Sequence, residues 1–301
     1  MRILITGSNG LLGQKLVELL RQQPGVELIA TSRGANKLAG MYADLRFVPL
    51  DVANQQEVQA VLAREQPTHL IHTAAMTNVD ECELNQEACW ASNVTAVEHL
   101  VAACTKYKVH LIHVSTDFVF SGEKGPLAED AVPAPINFYG QSKLAAEQLV
   151  QASKGTWAIV RTVLVYGTAH DYGRTNIVLW VRDSLRAGKA IKVVDDQYRT
   201  PTLAEDLAQG CWLVAQKNAT GIYHISSSEV LTPYQMALQV ADYFQLDKAL
   251  ITRVDGSTFS QPAKRPPRTG FIIDKAQREL GYQPHDFQSG IAVLARQTEA
   301  L

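Results

Sequence analysis

The chain has 301 residues, of which 46% are hydrophobic and 19% are charged, and its net charge at neutral pH is −2. These proportions are typical of a soluble globular protein with a large core, and they provide no overall positive field that would attract nucleic acid. No apolar run reaches the roughly 18 residues that span a bilayer, and the chain starts in an apolar strand without a signal-peptide pattern. We therefore expect a cytoplasmic protein with neither membrane nor nucleic-acid partners.

Four cysteines, Cys82, Cys89, Cys104 and Cys211, are scattered along the chain without a C-x-x-C pair. This spacing favours buried free thiols, and it indicates neither a disulfide framework nor a zinc site. We therefore expect no metal.

The first predicted elements are a strand, a glycine-rich turn and a helix. The apolar strand Arg2 to Thr6 leads into Gly7-Ser8-Asn9-Gly10-Leu11-Leu12-Gly13, and leucines then recur at helical spacing. In a dinucleotide-binding turn the first glycine permits a tight bend, the second lets the backbone approach a pyrophosphate, and the third lets the helix pack on the strand. The start of the helix then holds the anion. On these residues alone, a plain strand-to-helix turn is the alternative.

The second predicted strand, Glu27 to Thr31, ends beside Ser32 and Arg33. In a dinucleotide-binding fold this strand end faces the adenosine ribose, where an acid binds the 2′-hydroxyl and an arginine accommodates a 2′-phosphate. Arg33 therefore favours NADP(H) over NAD(H), although a solvated surface arginine is the alternative. A third strand, Arg46 to Leu50, ends at Asp51, which could accept from the adenine amino group or cap the next helix.

A helix from Asn54 to Glu65 is followed by a fourth strand, His69 to Thr73, whose end carries Ala74 and Ala75. Such small side chains let a flat cofactor lie across the sheet edge. The next segment, Leu84 to Tyr107, is predicted as one long helix whose inward side chains are Trp90, Val94, Val97, Leu100 and Val101. Within that apolar face, Asn93 is either a satisfied core amide or a group that holds a water near a proton relay.

The fifth predicted strand, His110 to Val114, is followed by Ser115-Thr116-Asp117-Phe118 and then by a loop over Gly122 to Pro135. Function concentrates at the carboxyl ends of strands in open α/β sheets. Tyr139 and Lys143 follow on a helix, and their four-residue spacing puts them on one face. A phenol has a pKa near 10, and a nearby ammonium would lower it. A lone pair of this kind is usually surface decoration, but its place after a dinucleotide turn predicts an acid–base pair.

The C-terminal part is less regular. Helices are predicted over Asn176 to Arg186, Leu203 to Ala215 and Thr232 to Phe244, with strands over 192–194 and 222–225. Thr232 and Pro233 form a helix start. From Gly256 to Gly270 there is no acid, whereas Lys264, Arg265 and Arg268 are cationic. Such a loop suits a substrate diphosphate, although a merely basic surface loop is the alternative; Asn176 and Arg199 are further candidates for binding the nucleotide.

Several motifs recur together: Gly7 to Gly13, His72 to Asp80, Ser115 to Phe120, Tyr139 with Lys143, Arg161 to Gly167, Val193 to Gln197, Pro201-Thr202 and Ala263 to Pro266. With these motifs the chain resembles an extended short-chain dehydrogenase/reductase and, within that superfamily, the dTDP-4-dehydrorhamnose reductase family. The resemblance implies an α/β fold: a Rossmann-type doubly wound parallel sheet with a smaller C-terminal α/β substrate-binding part. Residues 1–165 would form the NADP-binding domain and residues 166–301 mainly the substrate-binding lobe, some of whose segments could return to the Rossmann core.

The resemblance also implies roles for individual residues. Tyr139 is the proton donor to the sugar C4 carbonyl, Lys143 lowers its pKa and binds the nicotinamide ribose, and Thr116 hydrogen-bonds the same carbonyl oxygen. The expected cofactor-binding residues are Gly7, Asn9, Gly10, Leu11, Leu12, Gly13, Ser32, Arg33, Asp51, Val52, Ala74, Ala75, Met76, Ser115, Tyr139, Lys143, Arg161, Thr162 and Val163. The expected substrate-binding residues are Thr77, Asp117, Phe118, Asn176, Arg199 and Arg265. NADP(H) is the favoured cofactor, and NAD(H) is the alternative. The expected substrate is a nucleotide sugar, and the chain could form a homodimer.

Three positions depart from the family pattern. Leu164 stands where the family usually has Trp, Arg268-Thr269 replaces Asn-Ser, and Gln14 stands where an acid would bridge a magnesium-linked dimer. The sugar and any metal therefore stay open. A reduction of a nucleotide-linked 4-keto-6-deoxy sugar is the leading hypothesis. The alternatives are another sugar-nucleotide enzyme, such as an epimerase or dehydratase, and a non-catalytic NADP-binding regulatory subunit.

Overall fold

The computed structural model describes residues 1–170, 173 and 175–299. Its strands are β1 (Arg2–Thr6), β2 (Glu27–Ser32), β3 (Phe47–Pro49), β4 (His69–His72), β5 (His110–Thr116), β6 (Trp157–Thr162), β7 (Val165–Tyr166), β8 (Ile191–Val194), β9 (Thr202–Leu203), β10 (Gly221–His224) and β11 (Ile251–Val254). Its α-helices are α1 (Leu11–Leu20), α2 (Gln55–Glu65), α3 (Val79–Leu84), α4 (Gln86–Trp90), α5 (Ala96–Tyr107), α6 (Phe138–Gln151), α7 (Ile177–Arg186), α8 (Ala204–Gln216), α9 (Pro233–Tyr243) and α10 (Phe287–Glu299).

The central sheet has the strand order β3-β2-β1-β4-β5-β6-β10, and all of its pairings are parallel. Its buried strands have nearly continuous apolar sequences, as expected for a sheet that is covered on both faces. The chain reverses its direction of winding between β1 and β4, where Thr6 pairs with His72. In doubly wound sheets this reversal opens a crevice at the carboxyl ends of the strands, and the glycine turn lies there. The predicted Rossmann-type fold is confirmed.

Two apolar layers cover this sheet. Ile3, Ile5 and Ile71 belong to the core on the α1 and α8 side, whereas Leu4, Leu70 and Leu111 belong to the core on the α2 and α5 side. Alternate residues of each strand therefore enter opposite layers, as the pleat requires. Helix α8 packs in the first of these layers and β10 is the last strand of the sheet, and both lie beyond residue 166 in sequence.

A third apolar cluster joins α7, α9 and α10 with the pair β8–β11. The start of α9 has the predicted cap: Thr232 accepts from the Gln235 amide, and the Gln235 side chain accepts in return from the Thr232 amide. We refer to this cluster and its elements as the C-terminal lobe. Within the described ranges, no helix is long and apolar enough to cross a membrane.

The predicted long helix Leu84 to Tyr107 is confirmed from Gln86 onward, where α4, a π-helical turn over Ala91–Thr95 and α5 follow one another without a break. Its first residue belongs instead to α3, which meets α4 at Asn85. The wider turn shifts the helical register, so that Trp90 is 43% exposed instead of inward. The same turn presents Asn93 to the interior. Strand β6 and helix α10 were not predicted from the sequence.

Candidate active site

The glycine turn fits the steric demands of its sequence. Gly7 has a positive φ of 73°, and a Cβ there would lie 2.8 Å from the Ala74 amide nitrogen. A Cβ on Gly13 would lie 2.2 Å from the Gly7 carbonyl oxygen, so a larger residue would push α1 away from the turn. Gly10 offers no side chain to cap α1, and the first turn of this helix carries no acidic residue. The amide groups at the helix start are therefore open to an anion from outside the chain.

Asn9 connects this turn to the end of β2. Its side-chain nitrogen donates to Ser32 Oγ at 3.0 Å and to the Ala35 carbonyl at 2.8 Å, and its side-chain oxygen accepts from the Lys37 amide at 3.1 Å. Arg33 is exposed on the segment that these bonds hold. The structure thus brings Asn9, Ser32 and Arg33 to the same corner of the crevice.

Asp51 and Val52 lie at the end of β3, half-buried. The alternative that Asp51 caps the next helix is wrong, because Asn54 is the N-cap of α2 and accepts from two of its amides. Asp51 instead accepts from the Ala53 amide at 3.0 Å within a turn. An adenine contact by Asp51 stays a prediction.

Asn93 fixes the segment after β4. Its side-chain oxygen accepts from the Met76 amide at 2.8 Å, and its nitrogen donates to the Met76 carbonyl at 3.0 Å and to Ser142 Oγ at 3.1 Å. Asn93 is therefore a satisfied amide, which agrees with the first of its two interpretations. The half-buried residues Ala74, Ala75 and Met76 form one edge of the crevice, with exposed Thr77 beyond them.

Tyr139, Lys143 and Thr116 converge at the carboxyl edge of the sheet. Asn137 caps α6 by accepting from the Gly140 amide at 2.8 Å, which puts Tyr139 in the first turn and Lys143 one turn later. The Tyr139 ring meets the Phe118 ring edge to face, at 5.9 Å between centroids, and its hydroxyl lies near Thr116. Burial raises the pKa of the Tyr139 phenol, and the neighbouring Thr116 hydroxyl opposes that rise in part.

Burial outweighs the predicted lowering of the Tyr139 pKa by Lys143, because the net pKa of this phenol is raised. Lys143 Nζ donates to the Val114 carbonyl at 2.7 Å and lies 3.4 Å from His113 Nε2. Burial lowers the pKa of Lys143 itself to about 8, although Glu147 opposes that change. Desolvation outweighs charge attraction here because both groups are buried in the same apolar surroundings.

The segment after β5 is tightly bonded. Thr116 Oγ1 donates to Asp117 Oδ1 at 3.1 Å and accepts from the Phe118 amide at 3.2 Å. Ser115 is buried, and its hydroxyl has no hydrogen-bond partner within the described part of the chain. An unsatisfied buried hydroxyl at this edge is available to a bound molecule.

Three predicted binding residues have side chains that are already engaged in the protein. Arg161 forms a buried two-point ion pair with Glu147, at 2.9 and 2.7 Å, so its side chain does not reach the crevice; only Thr162 and Val163 continue toward it. Asn176 caps α7 and donates to the Gly167 carbonyl at 2.7 Å. Arg199 is buried, and its guanidinium donates to the carbonyls of Tyr198 and Pro266 at 2.8 and 2.7 Å. A direct grip on the nucleotide by Asn176 or Arg199 is therefore not supported.

Arg265 lies at the edge of a cleft of about 320 Å³ in the C-terminal lobe. Its guanidinium is paired with both carboxylate oxygens of Asp80, at 2.6 and 2.7 Å. The cleft is lined by Ile177, Trp180, Lys192, Val193, Val194, Gln197, Pro233, Gly256, Phe259, Gln261 and Arg265. Trp180 and Ile177 were not predicted to line a cleft, because helical spacing is the same for a side chain in a core and for one in a cleft. Within the described residues, no group of His, Cys, Asp or Glu could hold a metal ion.

Comparison with known proteins gives a consistent result. Residues 1–299 match the family model described as RmlD substrate binding domain. A dTDP-4-keto-6-deoxy-D-glucose reductase of Streptomyces niveus is 34% identical over 94% of this chain and 92% of its own length. A dTDP-4-dehydrorhamnose reductase of Aggregatibacter actinomycetemcomitans is 30% identical over 96% and 97%. The crystal structure of the dTDP-4-dehydrorhamnose reductase of Bacillus anthracis in complex with NADP has a TM-score of 0.83 at 27% identity, covering 98% of this chain and 99% of that one. This chain belongs to the dTDP-4-dehydrorhamnose reductase family of extended short-chain dehydrogenases/reductases.

Proposed function

We propose that this protein is an NADPH-dependent reductase of the C4 keto group of a nucleotide-linked 4-keto-6-deoxy sugar. The observation that carries the proposal is the convergence of Tyr139, Lys143 and Thr116 at the edge of the sheet that also carries the glycine turn, in a chain of this family. An acid, a cation and a second hydroxyl at one strand edge are what the reduction of a carbonyl requires.

The crevice fits a dinucleotide. The uncapped start of α1 offers amide groups to the pyrophosphate, Arg33 is exposed where a 2′-phosphate would lie, and the Ser115 hydroxyl lacks a partner. Lys143 would hold the ribose hydroxyls. When bound, NADPH supplies the hydride that reduces the carbonyl carbon.

Tyr139 gives its proton to the carbonyl oxygen as that carbon is reduced to an alcohol. Because burial raises its pKa, the phenol is protonated at neutral pH, which is the state that a proton donor needs. Thr116 stabilises the oxygen as it acquires negative charge by turning its one proton from Asp117 Oδ1 to that oxygen. The nearby Lys143 ammonium then stabilises the phenolate that remains.

The cleft of the C-terminal lobe supports the nucleotide part of the substrate. Lys192 provides a cation for a diphosphate beside Arg265, whose charge is shared with Asp80. Trp180 and Phe259 provide flat apolar surfaces for a base. We also propose that residues 1–165 serve mainly the cofactor and residues beyond 166 mainly the substrate, with α8 and β10 belonging to the cofactor-binding core.

The test measures the oxidation of NADPH in the presence of dTDP-4-keto-6-deoxymannose. The readout is the loss of absorbance of the reduced nicotinamide. The wild type should consume NADPH, and Tyr139→Phe should lower kcat by about 10²- to 10⁴-fold, since it removes the proton donor. Tyr243→Phe, which alters an exposed ring, is the matched control. Conversion of a sugar nucleotide without NADPH consumption would favour an epimerase. Tight NADPH binding with no turnover of any sugar nucleotide would favour a regulatory subunit.

A further inference from the structure

Asp117 is the centre of a buried polar chain that links the candidate active site to a distant loop. Its Oδ1 accepts from Thr116 at 3.1 Å, its Oδ2 accepts a short hydrogen bond from Thr269 Oγ1, and Arg199 Nε lies 3.8 Å from Oδ2. All four side chains are buried. Both carboxylate oxygens thus accept hydrogen bonds within the protein, and the predicted substrate contact of Asp117 stays a prediction.

These bonds determine what the Thr116 hydroxyl can do. A threonine hydroxyl has one proton and two lone pairs. Thr116 accepts from the Phe118 amide and donates its one proton to Asp117 Oδ1, and the Tyr139 hydroxyl is its neighbour. The position of the Asp117 carboxylate therefore decides where the Thr116 proton points and which side of the Thr116 oxygen is turned toward Tyr139.

Thr269 is itself held rigidly. Its amide donates to the Tyr198 carbonyl at 3.2 Å, and the amide of the preceding Arg268 donates to the Gly122 carbonyl at 3.0 Å. Arg199 closes the same region by donating to the Pro266 carbonyl. The Thr269 hydroxyl thus reaches Asp117 from a backbone that cannot shift without breaking several bonds.

We propose that Thr269 and Asp117 form a positioning pair for Thr116: Thr269 fixes the Asp117 carboxylate, and the carboxylate fixes the rotamer of the Thr116 hydroxyl. This inference rests on the proposed reductase function. Neither residue of the pair touches the reacting atoms. Thr269 lies 152 residues from Asp117 in sequence, so the C-terminal part of the chain contributes to the geometry of the proton-donating site.

The test compares Thr269→Val with Thr269→Ser. Valine keeps the shape and removes the hydroxyl, whereas serine keeps the hydroxyl. Displacement of a catalytic group by about 1 Å lowers the rate roughly 10²-fold. We therefore expect Thr269→Val to lower kcat by about 10- to 100-fold. Its KM and its Kd for NADP⁺ should stay within about 2-fold of the wild type. Thr269→Ser should recover most of the lost kcat, and Thr252→Val, on an exposed strand position, controls for the substitution itself.

A crystal structure of Thr269→Val gives a second readout that does not depend on turnover. It should show the Thr116 hydroxyl out of hydrogen-bond distance of Asp117. The inference is overturned if Thr116 keeps its place in that structure, if kcat is unchanged, or if valine and serine lower kcat equally while raising KM. If the wild type turns over no nucleotide sugar, the proposed function fails, and the position of Thr116 still decides whether the pair exists.

Discussion

Replacing Lys143 by Met should abolish reductase activity and yet stabilise the ligand-free protein. Lys143 is only 3% exposed, and its Nζ has the Val114 carbonyl and His113 as neighbours. Burial lowers its pKa from the usual 10.5 to about 8, since an apolar interior disfavours the ammonium. The positive charge that Lys143 needs for catalysis therefore destabilises the folded state.

The size of the effect follows from that pKa. A shift from 10.5 to about 8 corresponds to about 3 kcal/mol of destabilisation when lysine is charged in both states. Methionine removes this term but loses the hydrogen bond to Val114, which contributes roughly 1–2 kcal/mol. We expect a net gain of about 1–2 kcal/mol in the free energy of unfolding at pH 7.

The gain should depend on pH in a defined direction. Because the folded pKa lies below the unfolded one, the unfolded chain binds more protons between about pH 8 and 10.5, so the wild type gains stability over that range. The charge penalty should fall to roughly 1 kcal/mol by pH 9.5, and the advantage of methionine should fall with it. Below pH 8 the penalty is fully present.

Urea denaturation of the wild type and Lys143→Met at pH 7 and pH 9.5 measures this, with NADPH oxidation measured on the same samples. Lys154→Met, at an exposed position after α6, should change stability little at either pH. The reasoning is refuted if Lys143→Met is less stable than the wild type at pH 7. It is also refuted if the difference between the two proteins does not shrink at the higher pH.

Two further predictions concern the cofactor corner and the core. Arg33→Ala should raise the Kd for NADPH by about 10- to 100-fold, because a charge-assisted bond to the 2′-phosphate is lost. The Kd for NADH should change by less than about 2-fold. Fluorescence titration measures both constants, and an equal loss of affinity for the two cofactors would contradict the role of Arg33. Glu147→Ala should lower the free energy of unfolding by about 3–5 kcal/mol, because the Arg161 guanidinium stays buried without its carboxylate. A loss below about 1 kcal/mol in urea denaturation would show that water reaches Arg161.

The parts of the fold that were predictable have strong local signals. Gly7 precedes a helix and follows an apolar strand, and the positive φ and close Ala74 contact explain why glycine is present there. The four-residue spacing of Tyr139 and Lys143 survives because it depends only on helical geometry. Strands and helices with clear apolar periodicity were located within a few residues of their observed bounds.

The parts that were not predictable depend on partners distant in sequence. Arg161, Arg199 and Asn176 carry the right chemistry for ligands, but Glu147, backbone carbonyls and a helix start already engage them. Sequence cannot tell a polar side chain that serves the core from one that serves a ligand. The π-helical turn before α5 likewise has no signal in the apolar pattern. The role of Thr269 could not be predicted either, because it depends on a hydrogen bond to Asp117, which is distant in sequence.

The most direct measurement follows the hydride itself. The protein would be incubated with dTDP-4-keto-6-deoxymannose and with NADPH that carries deuterium at C4 of the nicotinamide, in the position that is transferred. The mass of the product would be measured by mass spectrometry. We predict a sugar nucleotide that carries one deuterium at C4, formed in equal amount to the NADP⁺ produced. An unlabelled product, or an isomerised sugar with NADPH left intact, would contradict the reductase assignment.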